Sequence, residues 1–382
     1  MAEFSPQPEG TGPFFPISAS LVASRRPVCV APRSLNCEKM APVAARWYRS
    51  IHPSYESAPR RLRVVIPGGS GHVGRMLARH LQERGHFVTV LTRGPYTAQW
   101  ETVHWDGIET GPWTESLEGA DVCINLAGRS VDCRYSAEHR REIYQSRIGT
   151  TRLLNRAIAQ LERPPRVWLN ASTVAIYGHD DGRGSDELDV ELNAGEPIVD
   201  TRRAPQRRDF LMRVARDWEA ALFATPTPRT RKVAMRSALV MAAAPGGAFA
   251  ILLRLVQASL GGQQGNGRQF VSWIHEEDFA RAVEFLIERE EIAGAVNIAA
   301  PIPLPNREFM EELREAWGMP NGVPAPRPLL AIAAFALRTE PELLLKSSRA
   351  VPARMMDAGF RFEFPEWREA AEDLVRRWRS SC

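Results

Sequence analysis

Cysteine is sparse in this sequence and follows no pattern. The five residues (Cys29, Cys37, Cys123, Cys133 and Cys382) form no CxxC pair and no regular spacing, which argues against a disulfide framework and for reduced thiols in a cytosol-like compartment. The eight histidines are equally scattered, with no HxxxH and no Cys/His cluster at ligand spacing, so nothing points to a zinc site. No apolar run approaches the roughly 20 residues that cross a bilayer; the stretch from Pro328 to Leu337 is among the longest. Charge of one sign is not concentrated either. The formal balance of +4 is spread along the chain, which leaves no basic block for nucleic acid and no polybasic membrane anchor.

What is present reads as an ordinary globular composition, 44% hydrophobic and 25% charged, in 382 residues. That length suits one large α/β domain with a smaller companion. Residues 1–60 are rich in Pro, Ser, Ala and Arg and have few acids after Glu9. They read as a tail outside the fold; an organelle transit peptide, or an upstream start with Met40 as the true one, would look the same. A cytoplasmic location is expected, or an organelle if the tail is a targeting segment. Order is expected from Arg61, where Arg61-Leu-Arg-Val-Val-Ile66 is a short β-branched run. Val73, Leu77 and Leu81 follow at helical spacing. Strand-like runs at Phe87 to Leu91, Asp121 to Gly128 and Arg166 to Ser172, with a long helical segment from Glu138 to Leu161, predict a doubly wound parallel-sheet Rossmann domain over 61–235. Past Arg236 the glycine-rich joints predict a smaller C-terminal α/β substrate lobe over 236–325, followed by a helical piece over 326–382. By fold analogy the helix from Glu138 to Leu161 offers a homodimer interface.

The strongest chemical signal is the turn Gly68-Gly69-Ser70-Gly71-His72-Val73-Gly74, which lies between a strand and an amphipathic helix. In the spacing GxxGxxG, Gly68 permits the tight turn, Gly71 lets a pyrophosphate approach the backbone and Gly74 lets helix and strand pack closely. Binding of NAD usually calls for a carboxylate about 20 residues later. Here the second strand ends Leu91-Thr92-Arg93 with no acid in the turn. The planar cation of Arg93 suits a 2′-phosphate, so NADP(H) is favoured over NAD(H); the alternative is an exposed arginine ending a strand.

Together with Asn125-Leu126-Ala127-Gly128 and Ala171-Ser-Thr-Val-Ala-Ile-Tyr-Gly178, this turn resembles that of an extended short-chain dehydrogenase/reductase of the NAD-dependent epimerase/dehydratase superfamily. More narrowly, the chain resembles the atypical epimerase family proteins, short-chain dehydrogenase/reductase family 39U. The narrower likeness rests on Ser146-Arg147 with Thr150-Thr151-Arg152, Arg216-Asp-Trp-Glu219, Gly265 to His275 followed by Asp278, and Gly359-Phe-Arg-Phe-Glu-Phe-Pro365, and spans about 61–376. The resemblance implies that the glycine turn holds the pyrophosphate, that Leu126, Ala127 and Gly128 wall the ribose, and that Ser172 or Thr173 hydrogen-bonds near the reacting carbon. It implies that Asp106 stands where an acid touches adenine, and that the last segment is the family's C-terminal domain of unknown function.

Active members of that superfamily use a tyrosine four residues before a lysine, because a phenol is a poor base at neutral pH without a cation beside it. None of the six tyrosines here has a lysine at that distance, and the expected positions fall near Leu211 and Ala215. Tyr177, in a turn where the wider family's tyrosines are structural, is one candidate replacement. Tyr135 with His139 is another, and His275 with Asp278 a third, for which the alternative is that Asp278 serves the first turn of the following helix and His275 packs beneath the cleft. Arg134, Arg140 and Arg147 could attract an anionic substrate or serve as solvated helix charges. Three functions stay open: an NADP(H)-dependent oxidoreductase or epimerase-like enzyme acting on an unknown small molecule, a non-catalytic NADP(H) sensor, and a scaffold.

Overall fold

A computed structural model describes residues 60–177, 184–187, 207–325 and 347–381. The tail expected over residues 1–60 lies outside the described residues except for Arg60, as does the stretch 326–346 of the expected C-terminal piece. In the first part of the chain the elements are β1 (Arg63–Pro67), α1 (His72–Glu83), β2 (Phe87–Thr92), β3 (Glu101–His104), β4 (Val122–Asn125), α2 (Ala137–Tyr144), α3 (Thr150–Gln160), β5 (Val167–Thr173), α4 (Arg207–Phe223) and β6 (Arg231–Ser237). There follow β7 (Leu239–Met241), α5 (Ala248–Gln257), β8 (Phe270–Val271), β9 (Trp273–His275), α6 (Glu276–Glu288), β10 (Gly294–Ile298), β11 (Leu304–Pro305), α7 (Asn306–Trp317), α8 (Ala353–Asp357) and α9 (Trp367–Ser381).

Seven strands form one parallel sheet in the order β10-β6-β5-β4-β1-β2-β3. Its central strands are buried on both faces, which is why they read as unbroken apolar runs rather than alternating ones. On one face Leu77 and Leu81 of α1, with Phe279, Val283 and Leu286 of α6, pack on Ile66, Val90, Ile124 and Leu169. On the other, Leu153, Leu154 and Ile158 of α3 cover Val65, Leu91, Cys123 and Trp168. Each such side chain contributes about 1.5–3 kcal/mol on burial, and together they fix the doubly wound arrangement. The chain reverses direction across the sheet between β1 and β4, so a crevice opens outside the carboxyl ends of those strands.

The helical segment expected from Glu138 to Leu161 is present but broken into α2 and α3 by a π-helical turn at Gln145–Gly149. Such single turns commonly re-aim side chains at functional sites. A second core, built from Phe249 and Leu253 of α5, Phe309 and Leu313 of α7, and Trp367 and Leu374 of α9, forms the C-terminal lobe. The Phe309 and Trp367 rings stack there at 4.0 Å and 11°. The boundary expected at residue 236 is not a clean one: α6 and β10, which fall in the expected substrate lobe, return to the main sheet, where β10 pairs with β6. Their apolar faces match the sheet rather than the lobe. Among the described residues no helix is long and apolar enough to cross a membrane.

Candidate functional site

The glycine turn sits at the switch point. Gly68 has φ +76, and a Cβ there would lie 2.7 Å from the backbone of Ala127, so glycine is required both for the left-handed conformation and for the approach of β4's end. A Cβ on Gly74 would come within 2.6 Å of Gly69 Cα, which seats α1 on the turn. Gly71 is different: a Cβ there would meet only Gly68 O, at 3.4 Å, so the space above it is open. Gly71 also begins α1 with no side chain capping it, which leaves the positive end of the helix for an anion. Ser70 Oγ accepts a bond of 3.0 Å from Thr92 Oγ1, tying the turn to the end of β2. His72 is partly buried below the turn at Gly247, a glycine whose Cβ would strike its Nε2, and burial lowers the His72 pKa.

Next to the turn, Arg93 is exposed and makes no ion pair among the described residues. Asp106 is exposed too. Its Oδ1 accepts from the backbone N–H groups of Ile108 and Glu109, which lower its pKa and hold one carboxylate oxygen in the local turn. The Leu126 N–H donates to Pro67 O at 2.8 Å and the Ala127 N–H to Asn125 Oδ1 at 3.1 Å. Asn125 is itself held by Asn170 and Thr151, so the end of β4 is rigidly placed beside the turn.

Beyond Gly128 a cavity of about 420 Å³ lies at the carboxyl ends of β4, β5 and β6, roofed by the C-terminal lobe. It shares Val73, Leu126 and Gly128 with the crevice and takes in Ser172 and Thr173, so the structure brings these sequence candidates together. Ser172 donates its hydroxyl proton to Glu219 Oε1 at 2.6 Å. Thr173 Oγ1 accepts from the Ala175 N–H at 3.2 Å, and among the described residues its own proton is not committed. Tyr177 does not line the cavity. Its hydroxyl donates to Asn297 at 2.6 Å and accepts from Arg236 at 3.1 Å, and burial raises its pKa to about 12. The phenol on the cavity wall is Tyr135, buried with its ring edge-on to Phe210 at 5.6 Å. His139, its expected companion, donates from Nδ1 to Arg134 O instead, at 2.7 Å.

Three polar residues lie beneath this site, and two of them, Arg236 and Asn297, carry no motif of their own. Arg236, 3% exposed, clamps both carboxylate oxygens of Glu219 with Nε and Nη2 at 2.9 and 2.8 Å. Burial lowers the Arg236 pKa, but its bonds to Glu219 more than offset this and raise it. Asn297 completes the network under Tyr177. Glu219 belongs to one of the family phrases; Arg236 and Asn297, each next to last in its strand, left only the faint signal of a polar residue beside apolar ones.

Residues 64–199 match the NAD dependent epimerase/dehydratase family, and residues 325–374 match a domain of unknown function, DUF1731. The epimerase family protein SDR39U1 of Bos taurus is 33% identical to this chain over 82% of its length and 100% of the relative's. The human protein of the same name is 31% identical over 82% and 100%. A crystal structure of human SDR39U1 (isoform 2) with NADPH superposes with a TM-score of 0.69, at 29% identity, over 82% of this chain and 99% of that one. The chain belongs to the epimerase family proteins.

Within the epimerase family frame, the positions where the wider superfamily's tyrosine and lysine are expected, Leu211 and Ala215, are apolar. Leu211 and Val214 line the cavity, and Ala215 is fully buried. The family phrases near His275 and Phe364 prove to be one structural clip. His275 caps α6 by accepting the Glu277 N–H at Nδ1, and its Nε2 meets Asp373 at 3.1 Å. Burial pushes the His275 pKa down, so this contact is a hydrogen bond from a neutral ring rather than an ion pair. Asp278 accepts the backbone N–H groups of Glu363 and Phe364, both at 2.8 Å. These bonds fit a helix-start and packing role for His275 and Asp278 rather than a replacement proton relay.

Proposed function

We propose that this epimerase family protein binds NADPH at the glycine turn and acts on a small molecule held in the adjoining cavity, as an NADP(H)-dependent oxidoreductase or epimerase-like enzyme. The observation that carries this reading is the shared wall: Val73, Leu126 and Gly128 belong to both the crevice and the cavity. The cradle fits a dinucleotide, since the space over Gly71 is open and the α1 N-terminus is uncapped. The turn Gly68 to Gly74 holds the pyrophosphate, Leu126, Ala127 and Gly128 wall the ribose, and Asp106 keeps one oxygen for the adenine. Arg93, exposed at the end of β2, meets the 2′-phosphate and gives NADPH its preference over NADH. Bound there, the nicotinamide supplies hydride chemistry.

The residues of the chain supply orientation and proton handling. Thr173 donates its uncommitted proton to a carbonyl oxygen of the substrate, and Ser172, whose proton goes to Glu219, accepts from a hydroxyl or N–H. Tyr135 is the acid on the cavity wall; Tyr177 braces Arg236 from behind. The apolar pair Leu211 and Val214 favours a second reading, a protein that binds NADPH and reports its level without turnover.

Calorimetric titration with NADPH and NADH tests the cofactor, using the protein and its Gly71→Trp and Arg93→Ala variants. Gly71→Trp should abolish binding of both nucleotides, and Arg93→Ala should weaken NADPH about 10- to 100-fold, the loss of one charge-assisted contact, with NADH unchanged. No binding of either nucleotide by the unaltered protein would remove both readings.

A further inference from the structure

Among the described residues lining the cavity, one carries a permanent charge. Arg147, placed by the π-helical turn, is a lone cation in a wall otherwise made largely of Val131, Leu211, Val214, Trp218 and Leu252. Its Nη1 donates to the carbonyl oxygens of Arg129 and Ile143 at 3.0 and 3.2 Å. Its guanidinium lies 5.2 Å over the Trp218 ring, and Gly128 lets it approach: a Cβ there would be 3.2 Å from Cζ. Nε and Nη2 make no hydrogen bond among the described residues, and no carboxylate of those residues lines the cavity. Burial lowers the Arg147 pKa to about 10. A cation carried into an apolar wall without a counter-charge is costly, and the cost is recovered when an anion arrives.

We propose that Arg147 is an anion-binding residue and that the ligand of this cavity is an otherwise apolar carboxylate. The remaining Nε and Nη2 edge is the planar fork that matches one carboxylate. A phosphate or diphosphate would bring two or more negative charges to a single cation. Elsewhere in the lining Gln264 is 2% exposed and its Nε2 has no partner among the described residues, so a neutral oxygen of the ligand has a donor. This inference rests on reading the cavity as the substrate site.

The test is calorimetry on the full chain saturated with NADPH, with octanoate and 4-phenylbutyrate against their neutral amides. The acids should bind at least about tenfold more tightly than the amides. Arg147→Leu should erase that preference and Arg147→Lys should keep part of it, with NADPH affinity within about threefold of the unaltered protein in both. Equal binding of acid and amide, no binding of any acid, or an unchanged preference in Arg147→Leu would overturn the proposal. So would an NADPH affinity lost with Arg147 while the acid preference persists, since that would put the guanidinium on the cofactor. If the unaltered protein binds no NADPH, the cofactor reading fails by itself, and the acid and amide comparison, repeated without nucleotide, still decides this one. Should Arg147→Leu not fold, the Lys variant and the unaltered protein's preference decide.

Discussion

Replacing Glu219 with leucine removes both oxygens that neutralise Arg236 and the acceptor of the Ser172 proton at once. Arg236 is 3% exposed and Glu219 9%, so little water can take the place of the lost carboxylate. What remains for the guanidinium is the Tyr177 hydroxyl at 3.1 Å and the Glu187 carbonyl at 3.3 Å, neither of them charged. Leaving one member of a buried pair uncompensated costs about 3–5 kcal/mol. At roughly 2–4 °C per kcal/mol, that lowers the melting temperature by roughly 6–20 °C. Arg236→Met should cost a similar amount by stranding the carboxylate. The double variant, in which both charges leave together, should lie within about 2 kcal/mol of the unaltered protein, because a desolvated pair and an apolar pair of similar volume are nearly equivalent. The assay is urea unfolding followed by circular dichroism, arranged as a double-mutant cycle. A single-variant loss under about 1 kcal/mol, or losses that simply add in the double variant, would refute the reasoning and show that solvent reaches this floor.

Gly68→Ala should unfold the turn rather than merely loosen it, since alanine at φ +76 costs about 1–2 kcal/mol before the 2.7 Å contact with Ala127 is counted. Thermal melting and NADPH titration should both report the loss, and a variant that keeps its melting temperature would contradict the packing described. His275 supplies a pH dependence. Its pKa is held below the ordinary histidine value, so the stability it contributes is fully present above about pH 6.5 and is lost as the pH falls below that. His275→Gln should remove this acid-side slope, which is at most about 1.4 kcal/mol per pH unit, as measured by unfolding between pH 7 and pH 5.

Much of this was legible in the sequence because period and punctuation are local. The β-branched run to Ile66, the glycines at 68, 71 and 74, and the return of an apolar strand at Phe87 are consecutive, and short-range sterics decide them. The cavity was not legible in the same way. Its polar floor joins Ser172, Glu219 and Arg236 from three elements, and only the parallel register of β5 with β6, which sets Ser172 opposite Arg236, brings them together. The π-helical turn at Gln145 to Gly149 left no periodic trace, since one extra residue in a helical pattern changes no residue type. The return of β10 to the main sheet was hidden for another reason: a five-residue strand after a helix looks the same whether it ends a lobe or closes a sheet.

That return bears on how such a protein can be inherited and recombined. The chain leaves the sheet after Ser237 and rejoins it at Gly294, and five registered pairs hold the two strands side by side. The lobe is therefore built from both sides of β10, with α5 before that strand and α7 and α9 after it. A crossover placed near residue 236 would part β6 from β10, and one that exchanged only the stretch between those two strand ends would part α5 from α7 and α9 and take α6 off the sheet. The cavity draws its lining from before, within and after that stretch, so it is inherited with the whole fold rather than with one exchangeable segment.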